Sequence, residues 1–265
     1  MHIERKIALW NVNGLRAVHR KEALEPFLQE TMPDILLLQE TKLTEGAPLR
    51  LFLTEHKDYA QHYHYAQQKG YAGTALWVRQ PVPQGAVVLR GMPGWDDREG
   101  RVIGLQYAYH GQPVTVLGVY FPNGGKSPEA WEEKLTFYEY FRHYLSTLRA
   151  SGQRVLWGGD LNVAHTALDL ARPKENDGKV GFHPLERAWA DRLVADGWVD
   201  LWRAAHPEEV QYSWWSQRGG ARERNVGWRI DSWWAHRDDW EALPRVTYLQ
   251  SQQGSDHCPV LLECC

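Results

Sequence analysis

Short apolar runs of strand length recur along the whole chain, and most of them stop on a polar side chain. They cover residues 7–12, 35–39, 73–79, 102–109, 114–120, 154–158, 227–234 and 259–263. In the fifth, Val114, Val116 and Gly118 alternate with Thr115, Leu117 and Val119, the two-residue period of a β-branched strand. Helical periodicity is clearest over 128–150, where Trp131, Leu135, Tyr138, Phe141, Leu145 and Leu148 recur at spacings of three and four. Ser127 suits the N-cap, Pro128 the first helical position, and Glu129, Glu132 and Glu133 the positive helix end. Further helices are predicted over 21–31 and 184–195. Many strands with a few long helices predict one α/β domain spanning residues 1–265, with two packed mixed sheets and helices outside them. A length of 265 residues suits one large domain of this kind.

Composition narrows the function classes. With 43% hydrophobic and 24% charged residues, the chain is neither disordered nor fibrous. Its longest aliphatic run, residues 35–38, is far too short to span a bilayer, and the first ten residues lack a signal-peptide core. A soluble, cytoplasmic protein is expected. All 3 cysteines fall in the last eight residues, so neither a disulfide framework nor a cysteine zinc site is expected, and the Cys264–Cys265 pair reads as a frayed end. A net charge of −3 excludes a global basic field, so contact with nucleic acid must come from one face. The 14 tryptophans exceed what a core of this size needs and point to binding surfaces.

The informative residues stand where the strands stop. The tips read Trp10-Asn11-Val12-Asn13, Gln39-Glu40-Thr41-Lys42, Tyr120-Phe121-Pro122-Asn123, Asp160-Leu161-Asn162, Arg229-Ile230-Asp231 and Ser255-Asp256-His257. Asn, Asp and Gly end strands in many proteins because they form turns. Six tips carrying this set together indicate functional groups gathered at one end of a layered α/β fold. Carboxylates without a cysteine ligand describe an oxygen site for a hard cation, hence Mg²⁺ or Mn²⁺. A histidine beside an aspartate adds a pair that handles protons or orients a phosphate. That inventory suits metal-assisted hydrolysis of a phosphate ester.

The segments WNVNGLRA, LLLQETKL, GYAGTALW, GVYFPNGG, GGDLNVAH, NVGWRID and GSDHCPV, in order from Trp10 to Val260, resemble the exodeoxyribonuclease III / apurinic-apyrimidinic endonuclease family. That family belongs to the wider endonuclease–exonuclease–phosphatase superfamily. The resemblance implies a four-layered α/β sandwich of the deoxyribonuclease I type, with the active site at one end of the two sheets. It implies that Glu40 is the principal Mg²⁺ ligand, with Asn11 and Asp256 completing the metal site directly or through water. It makes Asp160 the activator of the attacking water and Asn162 its positioner. Asp160, Asn162 and His257 thereby also border the cation. His257, oriented by Asp231, faces the scissile phosphate; Tyr120 and Asn123 hold that phosphate or assist the leaving oxygen; Lys42 steadies the cluster around Glu40. Some family members carry Asp where this chain has Asn13, and the neutral amide favours one metal over two.

The same resemblance assigns Trp214, Trp228 and Ile230 to a small apolar pocket that admits a flipped-out sugar without a base and excludes an intact nucleotide. Arg218, in the arginine-rich stretch 217–224, matches the position from which relatives insert a side chain into the duplex. Arg16, Tyr71, Lys126 and Asn176 match DNA-contact positions, whereas His62 and His64 fall outside the motifs. The implied activity is incision of duplex DNA 5′ to abasic sites by a monomer in base excision repair, with 3′→5′ exonuclease and 3′-phosphatase activities accompanying it. Two rival readings exist: a superfamily phosphatase or lipid phosphodiesterase, and a non-catalytic DNA-binding homologue. The first gives no reason for Gly-Trp-Arg-Ile-Asp, and the second predicts a lost metal or base residue, which this sequence does not show.

Overall fold

The structure, a computed structural model, describes residues 5–46 and 56–264. Its strands, in chain order, are β1 (Arg5–Asn11), β2 (Ile35–Gln39), β3 (Tyr59–His64), β4 (Thr74–Arg79), β5 (Val87–Arg90), β6 (Val102–Tyr109) and β7 (Gln112–Tyr120), then β8 (Arg154–Asp160), β9 (Trp198–Asp200), β10 (Trp214–Trp215), β11 (Gly227–Trp228), β12 (Asp231–His236), β13 (Arg245–Tyr248) and β14 (Val260–Cys264). One six-stranded sheet has the order β13-β14-β1-β2-β4-β3, the other β5-β6-β7-β8-β12-β9, and β10 pairs only with β11. Each large sheet has one parallel pair at its centre, β1 with β2 and β7 with β8, and antiparallel neighbours outside.

Period-two alternation sorts the core into layers. Ile7 and Leu9 of β1, Ile35 and Leu37 of β2, Val116 of β7 and Leu156 of β8 point between the sheets. Ala8, Trp10, Leu36 and Leu38 point outward onto Leu15, Val18, Leu24 and Phe27 of the helices Leu15–Arg20 and Leu24–Thr31. Leu117, Val119, Val155 and Trp157 point outward onto Phe137, Phe141, Leu145 and Trp189 of the helices Pro128–Ala150 and Pro184–Ala195. Strands buried on both faces read as continuous apolar runs, which is why 35–38 looked so uniform. The result is helix–sheet–sheet–helix, the expected four layers. Ser127 caps the long helix by accepting from the Ala130 amide at 3.2 Å.

Two glycines bring the sheets together at their centre. Gly118 and Gly158 are partners in the β7–β8 register. A Cβ on Gly118 would come within 2.9 Å of Leu37, and one on Gly158 within 2.8 Å of Leu9, both in the opposite sheet.

Several expectations change. The run 227–234 is not one strand: it breaks at Arg229 and Ile230, between β11 and β12. The helix expected over 21–31 begins only at Leu24, after a separate helix at Leu15–Arg20. Cys264 is not frayed, since it pairs with Arg5 as the last residue of β14 and is buried; Cys265 lies outside the described residues. Among the described residues, no helix is long and apolar enough to cross a membrane.

Candidate active site

Parallel pairing places the carboxyl ends of β1, β2, β7 and β8 along one edge of the sandwich, where open α/β sheets gather their ligands. Asn11 ends β1 and Glu40 follows β2, on the first sheet; Tyr120 ends β7 and Asp160 ends β8, on the second. Asp231 opens β12 directly opposite Asp160 in the antiparallel register. Ser255, Asp256 and His257 precede β14 and close the group from the first sheet. Asn13, Glu40, Lys42 and Asn162 all have φ between 45° and 52°. Non-glycine residues in this left-handed region carry strain that only a well-determined surrounding structure sustains, and such residues cluster at functional sites.

Oxygen and nitrogen atoms of Glu40, Asp160 and His257 lie within 4.8 Å of one another. Asn11 spans the two sheets, its Nδ2 donating to Glu40 Oε1 at 2.9 Å and to Asp160 Oδ2 at 2.8 Å. Its own oxygen accepts from the Asn13 amide at 2.9 Å, so Asn11 bridges the carboxylates through its nitrogen. Asp256 stands outside the three-residue group. Its oxygens accept from Asn13 Nδ2 at 2.9 Å and Trp214 Nε1 at 3.2 Å. Lys42 pairs with Glu40 at 3.1 Å and donates to Asn13 Oδ1. Asn162 donates its backbone amide to Asp160 Oδ1 at 2.9 Å and accepts from Asn123 Nδ2 at 3.1 Å.

His257 Nδ1 meets Asp231 Oδ2 at 2.8 Å, and Nε2 is 3.9 Å from Asp160 Oδ2. Ser213 Oγ donates to the same Asp231 oxygen at 2.6 Å and accepts from the Ile230 and Asp231 amides, fixing the carboxylate. Burial alone lowers the affinity of His257 for a proton, but the charge and hydrogen bond of Asp231, followed by Asp160 and Asp256, raise its pKa to about 10. Burial and the neighbouring Asp231 charge raise Asp160 to about 7, with His257 pulling the other way. Burial, reinforced by Glu40 and Asp160, holds the Tyr120 phenol protonated well above its ordinary range.

Beside this cluster opens a cavity of about 320 Å³ walled by Val180, Gly181, Trp214, Trp228 and Ile230, with Tyr120, Asn123, Asp160 and His257 along its polar side. Trp214 and Trp228 are cross-strand partners in the β10–β11 ribbon and both are half-buried, so they form a wall and not a core. A family model described as the endonuclease/exonuclease/phosphatase family matches residues 8–257. The chain belongs to this family. Among relatives, it is 39% identical to an exodeoxyribonuclease of Bacillus subtilis over 97% of this chain and 98% of the other. Among solved structures, an AP endonuclease from Leishmania major matches with a TM-score of 0.86 and 28% identity, covering 98% of this chain and 87% of that one. The 3′-phosphatase NExo from Neisseria, bound to product DNA hairpin, matches with a TM-score of 0.85 and 29% identity, covering 97% and 98%.

The outer residues lie around this family site at different distances from it. Tyr71 and Lys126 meet each other, the ammonium 4.1 Å from the ring centroid, and both border a groove beside Asn123. Arg218 is exposed on the loop between β10 and β11, and Arg16 is exposed on the helix Leu15–Arg20. Asn176 ends the short helix Pro173–Asn176, its side chain donating to the Arg172 carbonyl. Arg222 is no free surface charge. It donates to the carbonyls of Gln250, Gln252 and Ser255 and stacks 4.7 Å over Trp215, tying the arginine loop to the segment before His257.

Sequence reasoning passed over two buried groups. Arg229 lies inside the Gly-Trp-Arg-Ile-Asp motif yet turns away from the cavity to pair with Asp169 and Asp200, each at 2.7 Å. Lys134 is fully buried beneath the Asn123 and Asn162 loops. It falls three residues after Trp131 and four before Tyr138, within the apolar stripe of its helix, and a lysine there was the available signal.

Proposed function

We propose that this chain is a divalent-cation-dependent repair nuclease that hydrolyses the phosphodiester 5′ to an abasic site in duplex DNA, leaving a 3′-hydroxyl. One observation carries the reading: a hydrolytic cluster of Glu40, Asp160 and His257 borders a cavity walled by the indole rings of Trp214 and Trp228, against which an extruded sugar can lie. The similarity to an exodeoxyribonuclease, an AP endonuclease and a 3′-phosphatase supports DNA as substrate and supports 3′→5′ exonuclease and 3′-phosphatase activities at the same site. It disfavours a lipid headgroup. One chain supplies the whole cluster, which supports action as a monomer.

The donor set fits one hard cation. Glu40 and Asp160 would hold it with carboxylate oxygens offered across the seam between the sheets, with Asp256 nearby on the cavity wall. Mg²⁺, with Mn²⁺ as substitute, supplies charge stabilisation to the phosphate when bound. Each residue then has a task. Asp160, buried at the end of β8, takes the proton of the attacking water. Asn162, anchored to Asp160 and Asn123, holds that water in line. His257, held by Asp231, faces the non-bridging phosphate oxygens and stabilises their charge. Tyr120 and Asn123 donate to the phosphate, and Lys42 holds Glu40 in place. Trp214, Trp228 and Ile230 receive the extruded sugar, Arg218 fills the gap it leaves, and Arg16, Tyr71, Lys126 and Asn176 grip the flanking backbone.

The test is a labelled duplex carrying one internal tetrahydrofuran site, beside an intact duplex with a recessed 3′ end, in Mg²⁺ or EDTA. A single incision 5′ to the lesion, absent in EDTA, is expected. Asp160→Ala is expected to bind the duplex and leave it uncut. No cleavage in either Mg²⁺ or Mn²⁺, or near-normal cleavage by the variant, would overturn the reading.

A further inference from the structure

Lys134 and Glu186 form an ion pair at 2.5 Å, and both side chains are wholly buried. Sequestering two charges is costly, and a buried pair by itself adds little to stability compared with apolar residues of the same size. What distinguishes this pair is where its remaining hydrogen bonds go. Lys134 Nζ donates to the carbonyl of Asn162 at 2.8 Å and to that of Asn123 at 3.1 Å. Glu186 Oε2 accepts from the amides of Gly181 at 2.7 Å and His183 at 2.9 Å. The loop after β7 rests directly on the lysine: a Cβ on Gly124 would come within 2.8 Å of Lys134 Cδ.

Three loops therefore end on one buried pair. The first presents Asn123, the second Asn162, and the third Gly181, whose φ of 91° and missing side chain leave Trp228 free, since a Cβ there would lie 3.1 Å from its ring. All three border the cavity.

We propose that Lys134 and Glu186 are positioning residues that lock the Asn123, Asn162 and Gly181 loops into one rim, thereby holding the water- and phosphate-binding amides in register with the sugar pocket. The pair touches no substrate and acts through those loops. This inference rests on the nuclease reading for its kinetic consequence but not for its structural one. Lys134→Met removes every donor and leaves Glu186 an unpaired buried charge. Lys134→Met with Glu186→Gln removes both charges while keeping an acceptor for the Gly181 and His183 amides. The two variants separate packing from positioning, because neutralisation relieves the stranded charge but returns no donor to the Asn123 and Asn162 carbonyls.

Thermal melts, steady-state cleavage of the tetrahydrofuran duplex and hydrogen–deuterium exchange are measured on both variants and the parent. The double variant is expected to recover most of the melting temperature that the single variant loses. Its kcat is nonetheless expected to fall about tenfold or more with KM within about threefold, and exchange is expected to quicken at 121–125 and 161–163. A double variant with kcat within about twofold of the parent, or with unchanged exchange in both segments, overturns the inference. If the parent cuts neither duplex, the nuclease reading falls, and the exchange data alone decide whether the pair positions these loops.

Discussion

Removing the negative charge of Asp231 while keeping its shape is expected to turn His257 from a fixed cation into an imidazole that titrates below pH 9. Asp231→Asn suits the site sterically. One oxygen of Asp231 accepts from both Ser213 and His257, and the other is buried without a hydrogen-bond partner, so the new amide group takes the second place and displaces no bond. The rise from 6.5 to about 10 in His257 corresponds to roughly 5 kcal/mol of preference for the charged form, at about 1.4 kcal/mol per tenfold step in the equilibrium. Asp231 is the largest contributor acting in that direction. If it supplies only half of that, its loss changes the protonation equilibrium about sixtyfold. At pH 9 the ratio of charged to neutral His257 then drops from about ten to one to about one to six. Proton NMR of the imidazole Cε1–H in EDTA reads this directly, and cleavage rates between pH 6 and 9 in Mg²⁺ read its consequence. The parent imidazole should not titrate below pH 9, the variant imidazole should, and the ratio of parent to variant rate should widen as pH rises. Because the folded-state pKa is raised, the stability contributed by the ion pair is full below pH 6.5 and lost as pH rises toward 10. Melting temperatures of parent and variant should therefore converge in alkali. A parent His257 titrating near 6.5, or a rate ratio independent of pH, refutes the reasoning.

Two further predictions follow from residues beside the cluster. Trp228→Ala opens a wall of the cavity and should lower the preference for abasic over intact duplex, measured as a ratio of kcat/KM, about tenfold; an unchanged ratio would return Trp228 to a packing role. Asp169 is buried, yet Arg229 and Arg203 hold its carboxyl far below the usual carboxylate range, so its contribution to stability is present above about pH 4 and lost as pH falls. Asp169→Asn should cost about 3–5 kcal/mol in urea melts at pH 7, with the gap to the parent narrowing below pH 4.

The cluster was legible in the sequence because it is built on strand ends, where an apolar run and its polar stop are contiguous. Asn11, Glu40 and Asp160 each close or follow such a run, whereas Asp231 opens β12, and the fold brings the four side by side. Residues were missed where function depends on a partner far away in the chain. Tyr59–His64 and Val87–Arg90 are edge strands, half-buried or exposed, and only their neighbours' registers make them strands. The stretch 227–234 reads as one strand, but Arg229 must leave the sheet to reach Asp169 and Asp200, and that pairing breaks it. Lys134 shows the same limit. Its helix was clear from periodicity, but the meaning of a charge on the buried stripe depends on Glu186, fifty-two residues later.

The seam through the cluster has a mechanical consequence. Glu40 is carried by one sheet and Asp160 by the other, and the Asn11 side chain donates to both. The spacing of the carboxylates is thus set by how the two sheets pack, and the two Asn11 hydrogen bonds bridge it. The glycine pair lets Leu37 and Leu9 press against β7 and β8, so the intersheet distance is set at the centre of the core. A bulkier or smaller side chain deep in the intersheet core is therefore expected to change the gap at the rim without touching a residue of the site.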